Sequence, residues 1–241
     1  MDFINKLLFG KKYGVCIFCG RKTNLTDTVF NKDRACICRH CNSFIDVAPF
    51  SHLYPGTKHI SFVVSPLYYS GLVKGAIHNL KFSSMGAVAD CLCYYINTYL
   101  SVFEDSDESL LNDFDILIPV PLSQRRKNER GYNQADLLCR NIGEHFNIPT
   151  DFNALIKNVD TKPQSTLSRD KRKSNVENVY SCIKDMTGKN ILLVDDVFTT
   201  GYTLDFCAKE LKNQGAKIVA AITVTYGTAK RHSDIYYDLF S

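Results

Sequence analysis

The most informative segment of the chain is ILLVDDVFTTGYT, residues 191–203. Its first four residues are aliphatic and do not alternate with polar ones, which predicts a strand buried on both faces of a parallel sheet. From Tyr202 to Asn213 apolar residues recur at helical spacing, so a helix is expected to follow. Gly215 then stands where a left-handed cap would end that helix. The segment therefore predicts a strand, a short polar turn and a helix.

The predicted turn has the properties of an anion site. Free backbone N–H groups and the helix dipole favour a phosphate at this position. The small and hydroxyl residues available there are Thr199, Thr200, Gly201 and Thr203. Asp195 and Asp196 would repel a phosphate, but they can accept hydrogen bonds from the 2′ and 3′ hydroxyls of a ribose. The alternative is a buried strand that ends in an ordinary capped turn, with the two acids solvated or binding a structural cation.

The spacing D-D-x-x-T-T-G-x-T resembles the 5-phosphoribosyl-1-pyrophosphate (PRPP) loop of type I phosphoribosyltransferases. The resemblance implies that this loop binds the phosphoribosyl group. The residues it places there are Asp195, Asp196, Val197, Thr199, Thr200, Gly201 and Thr203.

Length and composition set broad limits on the protein. With 241 residues, 45% of them hydrophobic, the chain can bury a full core with a small appendage. The formal charge of +4 gives weak support for nucleic-acid binding. No apolar run is long enough to span a bilayer and no secretory signal is visible, so we expect a cytoplasmic protein.

Four of the ten cysteines form two knuckles, Cys16-x-x-Cys19 and Cys38-x-x-Cys41, separated by eighteen residues. Two such knuckles predict a closed, structural Zn²⁺ site. The two-residue spacing favours Cys38 with Cys41, while Cys36 and His40 are the alternative ligands nearby in sequence. A redox C-x-x-C pair is the competing function. The other five cysteines lie in apolar or helical stretches, which is typical of small buried hydrophobes: Cys91, Cys93, Cys139, Cys182 and Cys207.

The domain boundaries follow from Pro55 and Gly56, which interrupt the periodic pattern. We expect a zinc-binding module over residues 1–50, a linker over 51–59 and an α/β domain over 60–241. Within that domain β-rich runs are predicted at 60–69, 114–120 and 217–225, and helices at 72–82 and 87–100. The predicted fold is α/β with a mostly parallel central sheet and a small zinc-ribbon-like module.

A second polar segment, residues 119–134, follows the run predicted as a buried strand. Two prolines and Gly131 predict a loop, and four cationic side chains crowd into it: Arg125, Arg126, Lys127 and Arg130. Guanidinium groups match phosphate oxygens, so a pyrophosphate or a nucleic-acid backbone is the expected partner. A solvated charged face is the alternative. A third basic stretch, 163–180, is interpreted as a mobile loop over a site or as a plain surface loop.

Together these motifs resemble the ComF family of competence-associated, phosphoribosyltransferase-like proteins. The chain carries the zinc module, P-x-P-L-S-x-x-R-x-x-x-R-G-Y-N-Q, Q-x-x-L-x-x-x-x-R-x-x-N and the D-D-x-x-T-T-G-x-T loop, in that order. The second motif matches Ser123, Arg126, Arg130, Gly131, Asn133 and Gln134, and the third matches Gln164, Leu167, Arg172 and Asn175. Lys81 matches a short L-K-aromatic element, but Ser83 and Ser84 depart from the pattern, so it is assigned no role.

The resemblance implies a type I phosphoribosyltransferase fold, a PRPP ligand with Mg²⁺ and a part in natural competence. Asp195, Asp196, Arg126 and Arg130 would be the catalytic residues of an enzyme, and Ser123 and Arg172 would join the ligand site. Implied partners are single-stranded DNA, other competence proteins and a second copy of the chain. No segment identifies an acceptor site, so a phosphoribosyltransferase with an unknown acceptor and a DNA-binding protein both stay open. A redox-sensing zinc switch is the third hypothesis.

Overall fold

The computed structural model describes residues 13–48, 54–55, 57–69, 71–82, 86–104, 111–158 and 179–227. Its strands are β1 (Tyr13–Cys16), β2 (Lys22–Asn24), β3 (Thr28–Lys32), β4 (Ala35–Cys38), β5 (Tyr54–Pro55), β6 (Phe62–Val64), β7 (Leu67–Tyr68), β8 (Ile116–Pro119), β9 (Leu155–Lys157), β10 (Tyr180–Cys182), β11 (Asn190–Phe198) and β12 (Ile218–Tyr226). Its α-helices are α1 (Arg39–Asn42), α2 (Gly71–Phe82), α3 (Gly86–Glu104), α4 (Gln124–Arg130), α5 (Gln134–Phe146) and α6 (Tyr202–Asn213).

The central sheet has the strand order β5-β6-β12-β11-β8, and β7 also pairs with β12. Every pairing is parallel except that of β5 with β6. The strand β11 lies between β12 and β8, with Leu192 opposite both Ala220 and Leu117. Aliphatic residues along β11 and β12 suit this buried central position. The predicted mostly parallel α/β fold is confirmed.

Alternate residues of β11 face two different apolar layers. Leu192 and Val194 pack with residues of α2, α3 and α5, whereas Ile191 and Leu193 pack with residues of α6. The alternation places helices on both faces of the sheet. The helix α6 has the predicted bounds, and Gly215 has the expected positive φ of 91°.

The strand β11 is longer than the sequence indicated. A strand over 191–194 was expected, with the two acids beyond it, but β11 continues to Phe198 because it keeps pairing with β12. Its pairing with β8 stops at Val194, opposite Pro119. Asp195 and Asp196 therefore lie inside β11, at a point where the strand still pairs with β12 but no longer with β8. This free edge opens the sheet toward the segment that follows β8.

That segment is not the continuous loop predicted over 119–134. It contains α4, which ends at Gly131 with φ 80°, and α5 begins directly afterwards, capped by the side chain of Asn133. The sequence QRRKNER consists largely of good helix formers, and Arg125 pairs with Glu129 one turn away at 2.7 Å. Local propensity therefore prevails over the turn signals.

The amino-terminal module is a four-stranded sheet of order β2-β1-β4-β3. It shares one apolar cluster with the main domain, in which Ala35 and Ile37 of β4 join residues of α3. The rings of Phe18 and Tyr95 meet edge to face with centroids 6.1 Å apart. The module thus packs on α3, while the predicted domain boundaries stay a prediction.

Some predictions lie outside the described residues. These are residues 163–178 of the basic stretch predicted over 163–180, with Gln164, Leu167, Arg172 and Asn175, together with residues 1–12 and 228–241. Within the described ranges, no helix has both the length and the apolar character needed to cross a bilayer.

Candidate functional site

A polar cavity of about 160 Å³ lies where β8 ends and its pairing with β11 stops. We call it the acid-pair cavity. Its lining comes from α2, the segment after β8, α4, α5, the β9–β10 ribbon, β11 and α6: Lys81, Val120, Pro121, Leu122, Arg126, Arg130, Asn133, Gln134, Ala135, Lys157, Tyr180, Asp195, Asp196 and Thr203. A position at the carboxyl ends of parallel strands is where α/β sheets bind ligands.

Asp195 and Asp196 have different surroundings although they are adjacent. The carboxylate of Asp196 is buried and pairs with the ammonium of Lys81 at 2.8 Å. Asp195 accepts the backbone N–H of Asp196 at 2.8 Å. Burial, reinforced by the negative charge of Asp196, raises the pKa of Asp195 to about 8. One carboxyl of the pair therefore has an internal cation as its partner, and the other is protonated more readily than an ordinary aspartate.

Lys81, Lys157 and Tyr180 belong to the cavity, although sequence reasoning gave none of them a role. For Lys81 the L-K-aromatic element is the signal in the sequence, and Lys81 lines the cavity despite the departure from the pattern at Ser83 and Ser84. Lys157 and Tyr180 lie on two three-residue strands, and the Lys157 ammonium lies 5.1 Å from the centre of the Tyr180 ring. Such short strands carry no periodicity that would reveal them.

Arg126 and Arg130 of α4 both line the cavity, and Arg130 donates a hydrogen bond to the Gln134 side-chain oxygen at 3.0 Å. The Nε2 of Gln134 is buried and has no hydrogen-bond partner among the described residues. The hydroxyl of Ser123, a residue just outside the cavity lining, is also buried and has no hydrogen-bond partner among the described residues. Buried polar groups normally find partners, so two orphaned donors beside two guanidinium groups fit a ligand rich in acceptor oxygens.

The turn after β11 is only partly directed at this cavity. Thr203 lines it, whereas Thr199 and Thr200 are exposed and Val197 packs against the core. Gly201 precedes α6 as its N-cap residue with φ 74°, and no side chain among the described residues caps that helix. The first N–H groups of α6 are thus not satisfied by a side-chain cap.

The first turn of α6 also fixes the chain near residue 57. Asp205 accepts hydrogen bonds from the Thr57 hydroxyl and from the backbone N–H of His59, the latter at 2.8 Å. Its second oxygen lies 3.1 Å from the His59 ring. The end of the segment predicted as a linker is therefore held at the edge of the turn.

A second polar centre lies in the amino-terminal module, and we call it the four-cysteine cluster: Cys16, Cys19, Cys38 and Cys41. The four sulfur atoms lie within 4.8 Å of one another. A tetrahedral Zn²⁺ with Zn–S bonds of about 2.3 Å needs sulfurs about 3.8 Å apart, so the donor set fits such an ion. The Cys38 sulfur accepts the backbone N–H of Cys41 at 3.3 Å, which starts α1.

Cys36 and His40 do not belong to the four-cysteine cluster. Cys36 is fully buried and faces Gly14, where its sulfur would lie 3.2 Å from an added Cβ. His40 is exposed, and its ring packs on Phe44 at a centroid distance of 5.0 Å. The remaining cysteines are all buried, as predicted: Cys91, Cys93, Cys139, Cys182 and Cys207.

Comparison with known proteins agrees with this architecture. Residues 135–241 match the model of the phosphoribosyl transferase domain. The chain is 31% identical to the DNA utilization protein YhgH of Shigella flexneri over 212 residues, which cover 86% of this chain and 88% of the relative. It is 28% identical to competence protein ComFC of Bacillus subtilis, covering 87% and 77% of the two chains. Competence protein F of Haemophilus influenzae is 37% identical, with 49% and 53% covered.

Proposed function

The chain belongs to the ComF family of phosphoribosyltransferase-like proteins, and on this premise we propose that it binds PRPP with Mg²⁺ in the acid-pair cavity. The observation that carries the proposal is the arrangement of charge. Two carboxylates lie beside four cationic side chains in one small cavity: Lys81, Arg126, Arg130 and Lys157. A ligand with a diol at one end and several phosphates at the other complements this arrangement.

Each part of PRPP has a complementary group. The ribose hydroxyls would donate hydrogen bonds to Asp195 and Asp196. The diphosphate oxygens would accept hydrogen bonds from the guanidinium groups of Arg126 and Arg130. The 5′-phosphate would lie at Thr203 and the uncapped amino end of α6, where N–H groups and the helix dipole favour an anion. The buried amide of Gln134 would complete its hydrogen bonds with a ligand oxygen.

Mg²⁺ fits the donor set because it prefers hard oxygen ligands, which the carboxylates and the phosphate oxygens supply. When bound, it would neutralise part of the diphosphate charge. Residues of the chain do the remaining work: the two aspartates orient the sugar, and the arginines hold the anionic end. For the four-cysteine cluster we propose a structural Zn²⁺, since four thiolates leave no open coordination position.

The cellular role that we propose is in natural competence, in the handling of single-stranded DNA. Relatives are named for competence and for DNA utilization. The module carries exposed cations at Lys22, Lys32 and Arg34 and exposed rings at Tyr13 and Phe44. Basic side chains with aromatic ones suit a strand backbone and its bases. Other competence proteins and a second copy of the chain are further proposed partners.

An active phosphoribosyltransferase with an unknown acceptor is the second candidate, and Asp195 favours it. A carboxyl whose pKa is about 8 can exchange a proton with an acceptor nitrogen at neutral pH. In that reaction the nitrogen attacks the anomeric carbon, the bond to the pyrophosphate oxygen breaks, and the pyrophosphate leaves toward Arg126 and Arg130. Release of pyrophosphate from PRPP, measured with a panel of nucleobases and amines, tests this candidate. If no member of the panel causes release, the result counts against it.

Calorimetric titration with PRPP, with and without Mg²⁺, tests the binding proposal. We expect saturable binding that requires Mg²⁺ and that Asp196→Asn reduces at least about tenfold, because a hydrogen-bonded charge is lost. Asp185→Asn is the matched control, since this exposed acid bonds only locally to Thr187. Equal affinity of wild type and Asp196→Asn would refute the assignment of the site.

The DNA proposal has a separate test in filter binding of a single-stranded oligonucleotide over a salt series. Replacing Lys22 and Lys32 with glutamine should lower the slope of log affinity against log salt by about 1.4, since each phosphate contact contributes about 0.7. Lys189→Gln, an exposed lysine of the main domain, serves as the control. Affinity that does not respond to salt would contradict the proposal.

A further inference from the structure

A second cavity among the described residues is larger than the acid-pair cavity. It has a volume of about 520 Å³. It lies between α3 and α5 of the main domain on one side and β3 of the amino-terminal module on the other. We call it the helix cavity. The helix α5 begins at Gln134 in the acid-pair cavity and reaches Glu144 of the helix cavity ten residues later, about 15 Å along its axis. The two cavities thus lie at opposite ends of one helix.

The wall of the helix cavity contains a chain of hydrogen bonds with a fixed direction. Asp90 accepts the side-chain amide of Asn141 at 2.7 Å, and the Asn141 oxygen accepts the amide of Asn97 at 3.1 Å. An ionised carboxylate can only accept, so Asn141 must present its NH₂ group to Asp90. Asn97 must then donate to Asn141, which turns its own oxygen the other way. That oxygen has no hydrogen-bond partner in the described part of the chain.

We call this chain of hydrogen bonds from Asp90 through Asn141 to Asn97 the polar relay. It ends at the Asn97 oxygen, an acceptor that requires a donor. A buried acceptor without a partner is unfavourable, because it has given up its hydrogen bonds to water. An N–H group supplied from the cavity would remove this penalty. Another acceptor, such as a phosphate oxygen, would not.

The charges in the helix cavity also favour a ligand that carries N–H donors. Asp90 and Glu144 both line it, and neither forms an ion pair with a described lysine or arginine. Asn141 and Glu144 lie in the second half of α5, where the free carbonyl groups of the helix end add negative potential. The imidazole of His145 lies at the same rim. The potential of this cavity is opposite to that of the acid-pair cavity with its four cations.

An aromatic wall completes the helix cavity. The rings of Phe30 from β3 and Tyr94 from α3 lie 5.3 Å apart and both face it. The face of an aromatic ring attracts a cation, and more strongly where water is partly excluded. The volume is within the range of cavities that bind small molecules.

We infer that the helix cavity binds an organic cation that carries N–H donors, an ammonium or a guanidinium group. The cation contacts the aromatic wall, its charge is balanced by Asp90 and Glu144, and its N–H groups complete the relay at Asn97. The same chemistry comes from two sources: a free amine, or a lysine or arginine side chain of a partner protein. Phosphorylated ligands are repelled, so this cavity does not contact a DNA backbone.

Calorimetric titration of the full chain with three probes tests the inference: agmatine, spermidine and a blocked Gly-Arg-Gly peptide. Saturable binding of agmatine or spermidine alone identifies a free amine, and binding of the peptide identifies a partner side chain. Glu144→Gln should weaken binding about tenfold, and Asp90→Asn should do the same. Glu129→Gln, an exposed glutamate on α4, is the matched control and should bind as wild type.

Competition and folding controls keep the result unambiguous. Saturating PRPP should leave amine binding unchanged, because the acid-pair cavity is a different site. Glu144 is exposed, so its variant should keep the wild-type melting temperature even if Asp90→Asn unfolds. The inference is overturned if no probe binds saturably in the millimolar range, or if Glu144→Gln binds the probes as tightly as wild type.

Discussion

The four-cysteine cluster and the acid-pair cavity are both polar centres inside a mainly apolar protein, yet they are completed in different ways. The cluster takes all of its donors from two short knuckles within 26 residues of chain, and these donors are alike. The cavity takes unlike groups from seven parts of the fold and balances carboxylates against cations. The first centre has the donor set of a closed metal site, whereas the second combines unlike groups that complement a ligand of mixed charge. Spacing in the sequence therefore predicts the first much better than the second.

The largest effect is expected at the four-cysteine cluster. Cys41→Ser should lose bound zinc and destabilise the module by about 5 kcal/mol or more, because metal binding and folding are coupled in such sites. Zinc content by mass spectrometry and a thermal melt measure the two effects. Cys36→Ser is the matched control, a buried cysteine two residues before Cys38 that should keep one zinc per chain. If Cys36→Ser lost zinc while Cys41→Ser kept it, Cys36 would be a zinc ligand and Cys41 would not.

A smaller effect is expected where the backbone shapes the turn beside the acid-pair cavity. Gly201→Ala should reduce the free energy of unfolding by about 3 kcal/mol. Gly201 has φ 74°, and an added Cβ would lie 2.7 Å from the Thr57 methyl and 2.9 Å from the Phe198 ring. Gly188→Ala is the control, because its φ is 75° and, apart from its two chain neighbours, no described residue has an atom within 4 Å of an added Cβ. That variant should lose only about 1 kcal/mol, and urea denaturation measures both.

Equal losses in the two glycine variants would show that left-handed strain alone matters at Gly201. The close approach of Thr57 and Phe198 would then contribute nothing. The acid-pair cavity would depend less on local packing than this comparison states.

The ion pair inside the acid-pair cavity should contribute next. Lys81→Met leaves the buried Asp196 carboxylate without its cation, which should reduce stability by about 2 kcal/mol. The double variant Lys81→Met/Asp196→Asn should recover most of that loss, because the unpaired charge is gone. A double-mutant cycle in urea gives the coupling free energy. A cycle that closes at zero would mean that Lys81 does not stabilise Asp196.

The most gradual effect is a dependence of stability on pH, spread over several pH units. The pKa of Asp195 is raised from 3.8 to about 8 by burial and by Asp196. The folded protein therefore holds this proton more tightly than the unfolded chain, so stability falls as pH rises from about 4 to about 8 and then levels. Asp195→Asn should flatten this slope in urea denaturation between pH 5 and 9. An identical slope in wild type and variant would contradict the assignment of the proton to Asp195.

Several elements of the fold could be predicted because their signals are local. The helix α6 follows from the spacing of Leu204, Cys207, Ala208 and Leu211, all of which are buried. The ligands of the cluster follow from the two C-x-x-C knuckles. The length of β11 could not be predicted in the same way, since Asp195 and Asp196 do not look like strand residues. They are held in the strand by pairing with β12, which lies more than twenty residues further along the chain.

The sequence by itself determined the aliphatic part of β11, the helix α6, the spacing of the four clustered cysteines, the acid pair and the family. Each of these depends on residues that are close together in the chain, where periodicity and spacing act directly. Only the tertiary structure decided that Lys81 pairs with Asp196, that Lys157 and Tyr180 enter the same cavity, and that α5 connects two cavities of opposite charge. These contacts join residues far apart in sequence, and burial and charge complementarity, not local propensity, bring them together.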